Sequence, residues 1–297
     1  MSLESSAAKA STQSRIDAQL AWCREISVVR RGGALEAATQ RQLCLPYWPE
    51  EVRCVPNVLL RSAVFSVGRI RPLLRQRTLL ATLQGLQIHY KGERLNQSDL
   101  DVWEMVLHLA RHQPLGSEVR FSAHSFLKEL GRGTGGHEHN DLKEAFARLV
   151  GGVIEITWTT DRKSFIGTLV SSYFRDDCGG CYAVIVNEKM LSLYGSGHTF
   201  IDWEQRRALG SNSLAKWLHG FYASHEAPYP YKVATLQALC DSKSHELKKF
   251  RQMLRGALVH LVEVGVLAFW EIDRGDLVHA RKASATRSPR KRFRRPT

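Results

Sequence analysis

One helical pattern occurs twice in this chain, and a tryptophan in a strand-like segment follows each copy at a similar distance. Leu100-Asp-Val-Trp103 is followed 55 residues after Trp103 by Trp158, and Leu214-Ala-Lys-Trp217 is followed 53 residues after Trp217 by Trp270. Each copy then contains a short helix, a polar or glycine-rich turn, a third helix and a strand. This order predicts an α+β fold of two tandem winged helices, a module whose third helix commonly enters the DNA major groove.

The charge of the chain indicates what kind of partner it attracts. The 297 residues suffice for two domains with separate cores, and they carry a net charge of +13. Such an excess attracts polyanions, so we predict double-stranded DNA as the partner, although a basic surface that only keeps the protein soluble is an alternative. Scattered cysteines and the lack of an apolar leader or bilayer-length run predict a cytoplasmic protein without a membrane contact.

Composition divides the chain into four segments. A polar N-terminal stretch with few apolar residues predicts a mobile arm, and a stretch from Arg281 onward with eight basic and no acidic residues predicts a disordered tail. The predicted segments are the arm 1–45, the first module 46–205, the second module 206–282 and the tail 283–297.

The first module is predicted to contain more than a minimal winged helix. A short helix after Pro56-Asn57 and a strand pair broken at Gly85 come first, and Ser98 is the predicted cap of the first long helix, with Asp99 and Asp101 placed to favour its dipole. The predicted elements that follow are a second helix at 123–130, a third at 140–150 and strands at 153–158, 165–174 and 182–186. The additional strands suggest a module used for contact as well as for DNA binding.

The second module is predicted to contain the longest helix of the chain. A short helix at 233–240 and the polar turn 241–244 precede it, and it runs to about Val264 with an apolar face of leucines and Phe250. Strands at 266–272 and 277–280 then form a hairpin, the predicted wing.

The strongest candidates for DNA contact lie around this long helix, on the side away from its leucines. Arg and Lys can bind guanine edges and Gln can bind adenine, although a solvated helix face would show the same pattern. The predicted base-facing residues are Ser244, His245, Lys248, Lys249, Arg251, Gln252 and Arg255. Arg274, His279, Arg281 and Lys282, on the wing and its exit, are predicted to contact phosphates. In the first module the candidates are Arg132, Lys143 and Arg148.

Patterns that suggest catalysis or metal binding are incomplete in this chain. Cys178-Gly-Gly-Cys181 has no second ligand pair at a matching spacing, so a tight turn is the simpler interpretation. His137-Glu-His139 has an acidic residue where strand-nicking enzymes have an apolar one, and the glycine run at 131–136 lacks the Lys-Ser/Thr ending of a phosphate-binding loop. We therefore predict no catalytic residue, no metal and no cofactor.

A short motif near the start of the first module suggests a further partner. Gln42-Leu-Cys-Leu45 resembles the start of the peptide by which bacterial proteins dock on the replication sliding clamp, although Pro46 stands where an aromatic or large apolar residue is usual. The predicted clamp-binding residues are Gln42, Leu43 and Leu45. The alternative is a plain loop or strand end.

Several longer motifs in one order resemble the TrfA family of plasmid replication initiators. They run from Leu45-Pro-Tyr-Trp-Pro-Glu50 through Leu60-Arg-Ser-Ala-Val-Phe65, Asp101-Val-Trp103 and Gln113-Pro-Leu-Gly116 to His225-Glu-Ala-Pro-Tyr-Pro230. The similarity covers about residues 45 to 282. Val64 stands where the family often has Leu, and the arginine-rich tail departs further from the family pattern.

The resemblance implies a function and a set of partners. It implies a tandem winged helix that binds repeats (iterons) at a plasmid origin, helps to open adjacent AT-rich DNA and recruits the host initiator and replicative helicase. It also implies a homodimer in equilibrium with a monomer, with the first module making the dimer contact, and gives the iteron-reading role to the cationic face of the long helix.

Three alternatives to replication initiation remain open from the sequence. A transcriptional repressor could use the same modules, and an adaptor that binds only proteins would fit the long first module. A rolling-circle nicking enzyme would need a tyrosine nucleophile, but Tyr90 and Tyr173 have no paired histidine motif beside them.

Overall fold

The computed structural model describes residues 44–83, 85–160, 162–176 and 180–283. Within these ranges the chain is a mixed α+β protein with eight α-helices, one 3₁₀ helix and twelve strands in four sheets. Among these described helices, none combines the length and apolar character needed to cross a bilayer.

The first elements form a lead-in before the first group of three helices. They are β1 (Val52–Pro56), α1 (Asn57–Leu60), β2 (Leu73–Leu80) and β3 (Leu86–Glu93). The predicted strand pair is confirmed, and Gly85, with φ +88°, lies in the turn between β2 and β3, where a residue with a side chain would be strained.

The first group consists of three helices, and the first of these is buried on nearly every side. Its elements are α2 (Gln97–Ala110), β4 (Glu118–Ser122), α3 (Ala123–Glu129) and α4 (Gly136–Gly151). The predicted cap of α2 is wrong by two residues: Asn96 is the N-cap, and it forms a reciprocal capping box with Asp99. Trp103 lies in the centre of this helix and is fully buried.

Four strands follow α4, and they belong to two different sheets. They are β5 (Val153–Trp158), β6 (Lys163–Gly167), β7 (Val170–Asp176) and β8 (Cys181–Val186). The single strand predicted at 165–174 is wrong, because the chain leaves one sheet after Gly167 and enters another at Val170. The additional sheet that the sequence predicts for the first module is the four-stranded sheet β2-β3-β5-β6.

The remaining elements contain the second group of three helices. After the 3₁₀ helix Glu188–Ser196 they are β9 (His198–Asp202), α5 (Trp203–Ala208), α6 (Ser213–Ala223), β10 (Tyr231–Lys232), α7 (Val233–Leu239), α8 (Leu247–Glu263), β11 (Leu267–Ile272) and β12 (Leu277–Lys282). Strand β9 returns to pair with β1. The second group of three helices, namely α6, α7 and α8, and the hairpin β11–β12 lie within a few residues of the positions that the sequence predicts.

Two three-stranded sheets show that the structure repeats a unit. Their strand orders are β4-β8-β7 and β10-β12-β11, so in each sheet the strand before the second helix pairs with the last strand of the following hairpin. By this topology β7 corresponds to β11, whereas β5 and β6 are inserted after α4. The correspondence predicted from the tryptophans is therefore only half correct. Trp103 and Trp217 occupy corresponding helices, but Trp158 lies in the inserted β5 and Trp270 in β11.

The buried apolar residues form two clusters along the chain. One contains residues from Leu45 to Trp203, and the other contains residues from Leu209 to Val278. Each fully buried Leu or Phe contributes about 1.5–3 kcal/mol relative to an exposed one, so both clusters stabilise their own helices.

Candidate nucleic-acid interface

The long helix α8 begins after a turn that fixes its direction. Asp241 takes a left-handed conformation, with φ +50°, and Glu246 is the N-cap. Ser244 lies in the turn, where its hydroxyl donates to the Glu246 carbonyl at 3.2 Å and its own carbonyl accepts from the Gln237 amide at 2.8 Å. Of the two predicted residues at this end of the helix, His245 is exposed and Ser244 is half-buried.

Helix α8 has one apolar and one cationic face. Phe250, Leu254, Leu258 and Leu261 are fully buried in the second cluster, at the spacing that places them on one side. The opposite side presents exposed polar residues, namely Lys248, Lys249, Gln252 and Arg255. The predicted orientation of these four side chains is confirmed.

Arg251 lies beside the cationic face but is held by the hairpin. Its Nε and Nη2 donate to the two carboxylate oxygens of Asp276 at 2.9 and 2.5 Å. The hydrogen bond and charge of Arg251 lower the pKa of the Asp276 carboxyl. This two-point contact joins the first turns of α8 to the turn between β11 and β12, so Arg251 fixes the hairpin relative to the helix.

The hairpin turn is also ordered from within. The Asp273 carboxylate accepts from the backbone amides of Gly275 and Leu277 at 2.8 and 2.9 Å, and from His279 Nε2 at 3.0 Å. The His279 hydrogen bond lowers the pKa of Asp273, so the turn keeps its acceptor ionised. Arg274 at the tip is exposed.

Two further predicted phosphate contacts lie at the end of β12. The Arg281 guanidinium lies 5.8 Å from the centre of the Phe269 ring and its side chain is exposed. Lys282 donates from Nζ to the His225 carbonyl at 2.7 Å and is half-buried. Arg281 is therefore open to a partner, while the ammonium group of Lys282 already has one acceptor.

Two of the three DNA contacts predicted for the first group of helices, Lys143 and Arg132, keep part of their surface exposed. Lys143 lines a surface cavity of about 260 Å³ together with His139 and Asn140, at the beginning of α4. Arg132, in the glycine-rich turn, donates to the Ser98 carbonyl at 3.0 Å and keeps part of its side chain exposed. Asn140, which was not among the predicted contacts, is exposed on α4 and carries an amide of the kind that can bind adenine.

The prediction that Arg148 contacts DNA is wrong. Its side chain is buried, and its Nη2 lies 2.8 Å from Asp99 Oδ1, an atom of a residue with no exposed surface. It lies on the side of α4 that packs against α2, so its charge balances an internal carboxylate. Asp99 consequently serves Arg148 as well as the helix terminus.

The clamp-binding prediction falls partly outside the described residues. Gln42 and Leu43 are not among them. Leu45 is only 5% exposed and packs in the first apolar cluster. For Leu45 the prediction is wrong in this structure, because a buried side chain cannot enter the pocket of another protein.

A buried ionic cluster that the sequence does not predict joins α2 to α5 and α6. Arg206 is fully buried and lies 2.7 Å from Asp101 and 3.1 Å from Glu104, while Lys216 Nζ lies 2.7 Å from Asp101. Burial raises the pKa of Asp101, but Arg206, Lys216 and Arg132 together hold it below its ordinary value. Burial raises the pKa of Glu104 to about 7.

A second set of polar contacts fixes the turn before α8 against the first part of the chain. Buried Arg94 lies 3.1 Å from the Asp241 carboxylate, and the Val67 amide donates to the Cys240 carbonyl at 3.0 Å. The orientation of the cationic helix therefore depends on residues far away in the sequence. In the sequence Asp241 is one residue of a polar turn, and no local pattern identifies Arg94 as its partner.

The tyrosines and the histidine considered for strand nicking make contacts within the fold. Tyr90 is buried and its hydroxyl donates to the Glu93 carbonyl at 2.6 Å, and burial raises its pKa well above the ordinary value. Tyr173 packs against Phe146 with ring centres 5.5 Å apart. His137 lies 3.7 Å from Asp141, and within the described part of the chain no three potential metal ligands converge. Cys178 lies outside the described residues.

Comparison with known proteins shows a similar fold in a solved structure and assigns the chain to a family. The mixed α+β fold is similar to the crystal structure of domains 2 and 3 of RctB, with a TM-score of 0.53 and 12% identity over 77% of this chain and 99% of that one. The family model described as TrfA protein matches residues 36–282. The chain belongs to the TrfA family.

Two curated relatives from Escherichia coli are similar to this chain. The plasmid replication initiator protein TrfA is 28% identical over 246 residues, which is 79% of this chain and 63% of the relative. The RepFIB replication protein A is 27% identical over 210 residues, which is 67% of this chain and 64% of the relative. The matched segments therefore span less than two thirds of either relative.

Proposed function

We propose that this protein initiates plasmid replication by binding repeated sequences, iterons, at the origin in double-stranded DNA. Membership of the TrfA family and the names of both relatives support replication as the process. The observation that carries DNA binding is the outward face of α8, where Lys248, Lys249, Gln252 and Arg255 are exposed directly after a helix–turn unit. A basic stripe on such a helix is the electrostatic footprint of DNA recognition.

We interpret each group of three helices, with its three-stranded sheet, as a winged helix. The shared strand order supports this interpretation, since the last strand of the hairpin pairs in both cases with the strand before the second helix. The two apolar clusters support a boundary near residue 205, as expected for modules 46–205 and 206–282. Helices α4 and α8 are then the recognition helices, and β7–β8 and β11–β12 the wings.

In this proposal α8 lies in the major groove and reads base edges through Gln252 and its cationic neighbours, with His245 and Ser244 at its leading end. Arg274 and Arg281 on the wing bind phosphates, which positions the module without reading sequence. Lys143 and Arg132 give the first module a weaker cationic surface. The same protein then contacts two parts of one duplex.

The later steps follow from DNA deformation. Binding two modules to one duplex bends or untwists it, which lowers the cost of opening neighbouring AT-rich DNA. Recruitment of the host initiator and replicative helicase, and the exchange between monomer and homodimer, belong to the same proposal. In this proposal binding energy drives these steps, without an enzymatic reaction.

Two measurements on one DNA test this function. A gel shift with tandem repeats should show sequence-specific complexes, and permanganate footprinting should show reactive thymines in the flanking AT-rich tract. Binding without reactive thymines would remove the opening step and leave a DNA-binding regulator. No preference for the repeats over random duplex would contradict the function itself.

A further inference from the structure

A cavity of about 390 Å³ lies where the first and second groups of helices meet. It is bordered by the beginning of α2, the glycine-rich turn after α3 and the connection between α5 and α6. Three of its lining residues are basic, namely Arg132, Arg207 and Lys216, and one is acidic, Asp101. The cavity is thus a cationic pocket built from both groups.

The one carboxylate in the lining is already occupied. Asp101 Oδ1 lies 2.7 Å from Arg206 Nε, and Asp101 Oδ2 lies 2.7 Å from Lys216 Nζ. Arg132 reaches the same Oδ2 only at 3.6 Å. Two ion pairs at short distance leave the guanidinium of Arg132 weakly compensated.

Arg207 adds a cation without an internal carboxylate. Its side chain is exposed and lies across Gly131, where a Cβ atom would come within 2.9 Å of Arg207 Nε. Arg207 forms no ion pair with any described residue. The absence of a side chain at Gly131 leaves the room in which this guanidinium lies beside the cavity.

We propose that this cavity binds a phosphate group, supplied by the backbone of the bound duplex. Arg207, which forms no ion pair with a described residue, and the weakly compensated Arg132 favour a phosphate, which accepts paired hydrogen bonds from arginine. Ser98, Ser211 and Ser213 line the same cavity, and serine hydroxyls can donate to a phosphate. A phosphate held there bridges the two groups of helices and fixes their relative position on DNA.

The DNA source of the phosphate rests on the proposed function, but the site itself does not. A free phosphate compound has the same chemistry, so the test has two arms. Both use the full chain and compare Arg207→Gln with Lys189→Gln. Lys189 is an exposed cation that does not line this cavity, so its loss removes an equal charge elsewhere.

The first arm measures thermal unfolding without DNA, with inorganic pyrophosphate added at constant ionic strength. We expect pyrophosphate to raise the Tm of the wild type and of Lys189→Gln by about 2–4 °C and to have no effect on Arg207→Gln. The second arm measures duplex affinity against salt concentration. We expect the slope of log K against log salt to fall by about one in Arg207→Gln alone.

The outcomes separate the alternatives. A smaller slope in Arg207→Gln, with or without a pyrophosphate effect, supports a backbone phosphate. A pyrophosphate effect with an unchanged slope retains the site but overturns DNA as its source, as does wild-type protein that binds pyrophosphate and no duplex. If Arg207→Gln behaves as Lys189→Gln in both arms, the phosphate site is overturned even when the wild type binds its repeats.

Discussion

Lys143 and Arg148 are five residues apart on α4, yet their charges serve different purposes. Lys143 borders a surface cavity, whereas Arg148 is buried against Asp99. A helical pattern identifies which positions face a core, but a long cation that faces inward looks like any surface cation in the sequence. Only the three-dimensional position of its partner separates the two.

This difference predicts that one alanine substitution lowers folding stability and the other lowers DNA affinity. Arg148→Ala leaves the buried Asp99 with Arg71, at 3.7 Å, as its one cation among the described residues, so we expect unfolding to become easier by about 3 kcal/mol. The folded fraction should bind DNA as the wild type does. Lys143→Ala should keep the stability within about 0.5 kcal/mol and weaken DNA binding.

Urea unfolding and fluorescence anisotropy with duplex DNA measure the two quantities separately. A loss of DNA affinity in folded Arg148→Ala, at unchanged stability, would restore the prediction made from the sequence and contradict the buried pair.

Gln252 is the residue of α8 that we expect to discriminate between bases. Removing its amide should cost about 1–3 kcal/mol of discrimination at one base position, since two hydrogen bonds to an adenine edge are lost. Val259→Ala is the matched control, because Val259 is also exposed on α8, two turns further along. Sequences selected from a random duplex pool should lose one conserved base with Gln252→Ala and none with Val259→Ala.

At the scale of elements, the ion pair between Arg251 on α8 and Asp276 in the hairpin predicts the direction in which DNA affinity changes when it is broken. If Arg251 positions the wing through Asp276, Asp276→Ala should weaken DNA binding, although it removes a negative charge. The double variant with Arg251→Ala should bind no worse than Arg251→Ala alone, because both changes break one contact.

Equilibrium binding of the two single variants and the double variant gives the coupling energy. Tighter binding by Asp276→Ala would mean that Arg251 reads DNA directly once it is released, as the sequence alone suggested.

Helices were easier to predict than sheets in this chain, for a physical reason. The 3.6-residue period placed α2 and α8 within a few residues, because helical hydrogen bonds and apolar stripes are local. Pairing of β5 with β3, and of β8 with β4, joins distant segments, so the split at Gly167 had no local signal. The similar spacing of Trp158 and Trp270 from the preceding helical tryptophans was consequently mistaken for equal topology.

At the scale of the whole molecule, the two groups of helices share a buried ionic junction. Burial, with Arg206 nearby, lowers the pKa of His219 on α6 to about 3. Burial raises the pKa of Glu104 on α2 to about 7. The sequence could not predict either shift, because both depend on charges brought together from separate elements.

These shifts have opposite consequences for stability. Between pH 3 and about 6.5 the unfolded chain protonates His219 and the folded protein does not, so this group destabilises the fold as pH falls. Folded Glu104 holds a proton between about pH 4.5 and 7 that the unfolded chain lacks, so its contribution is lost as pH rises. The two effects partly cancel in the wild type.

His219→Gln removes one side of this balance. Relative to the wild type, we expect the variant to gain about 2 kcal/mol of stability between pH 6.5 and pH 5, since about 1.4 kcal/mol per pH unit is no longer lost. Urea unfolding at several pH values measures the difference. A pH-independent difference for His219→Gln would contradict the buried neutral imidazole.

The central claim is that the outward face of α8 reads a specific DNA sequence. The most direct measurement is selection of bound duplexes from a random pool by the wild type and by a variant with Lys249, Gln252 and Arg255 all changed to alanine. We predict a recurring motif for the wild type and loss of that motif in the variant at unchanged folding stability. The same motif in both proteins, or none in the wild type, would contradict the account.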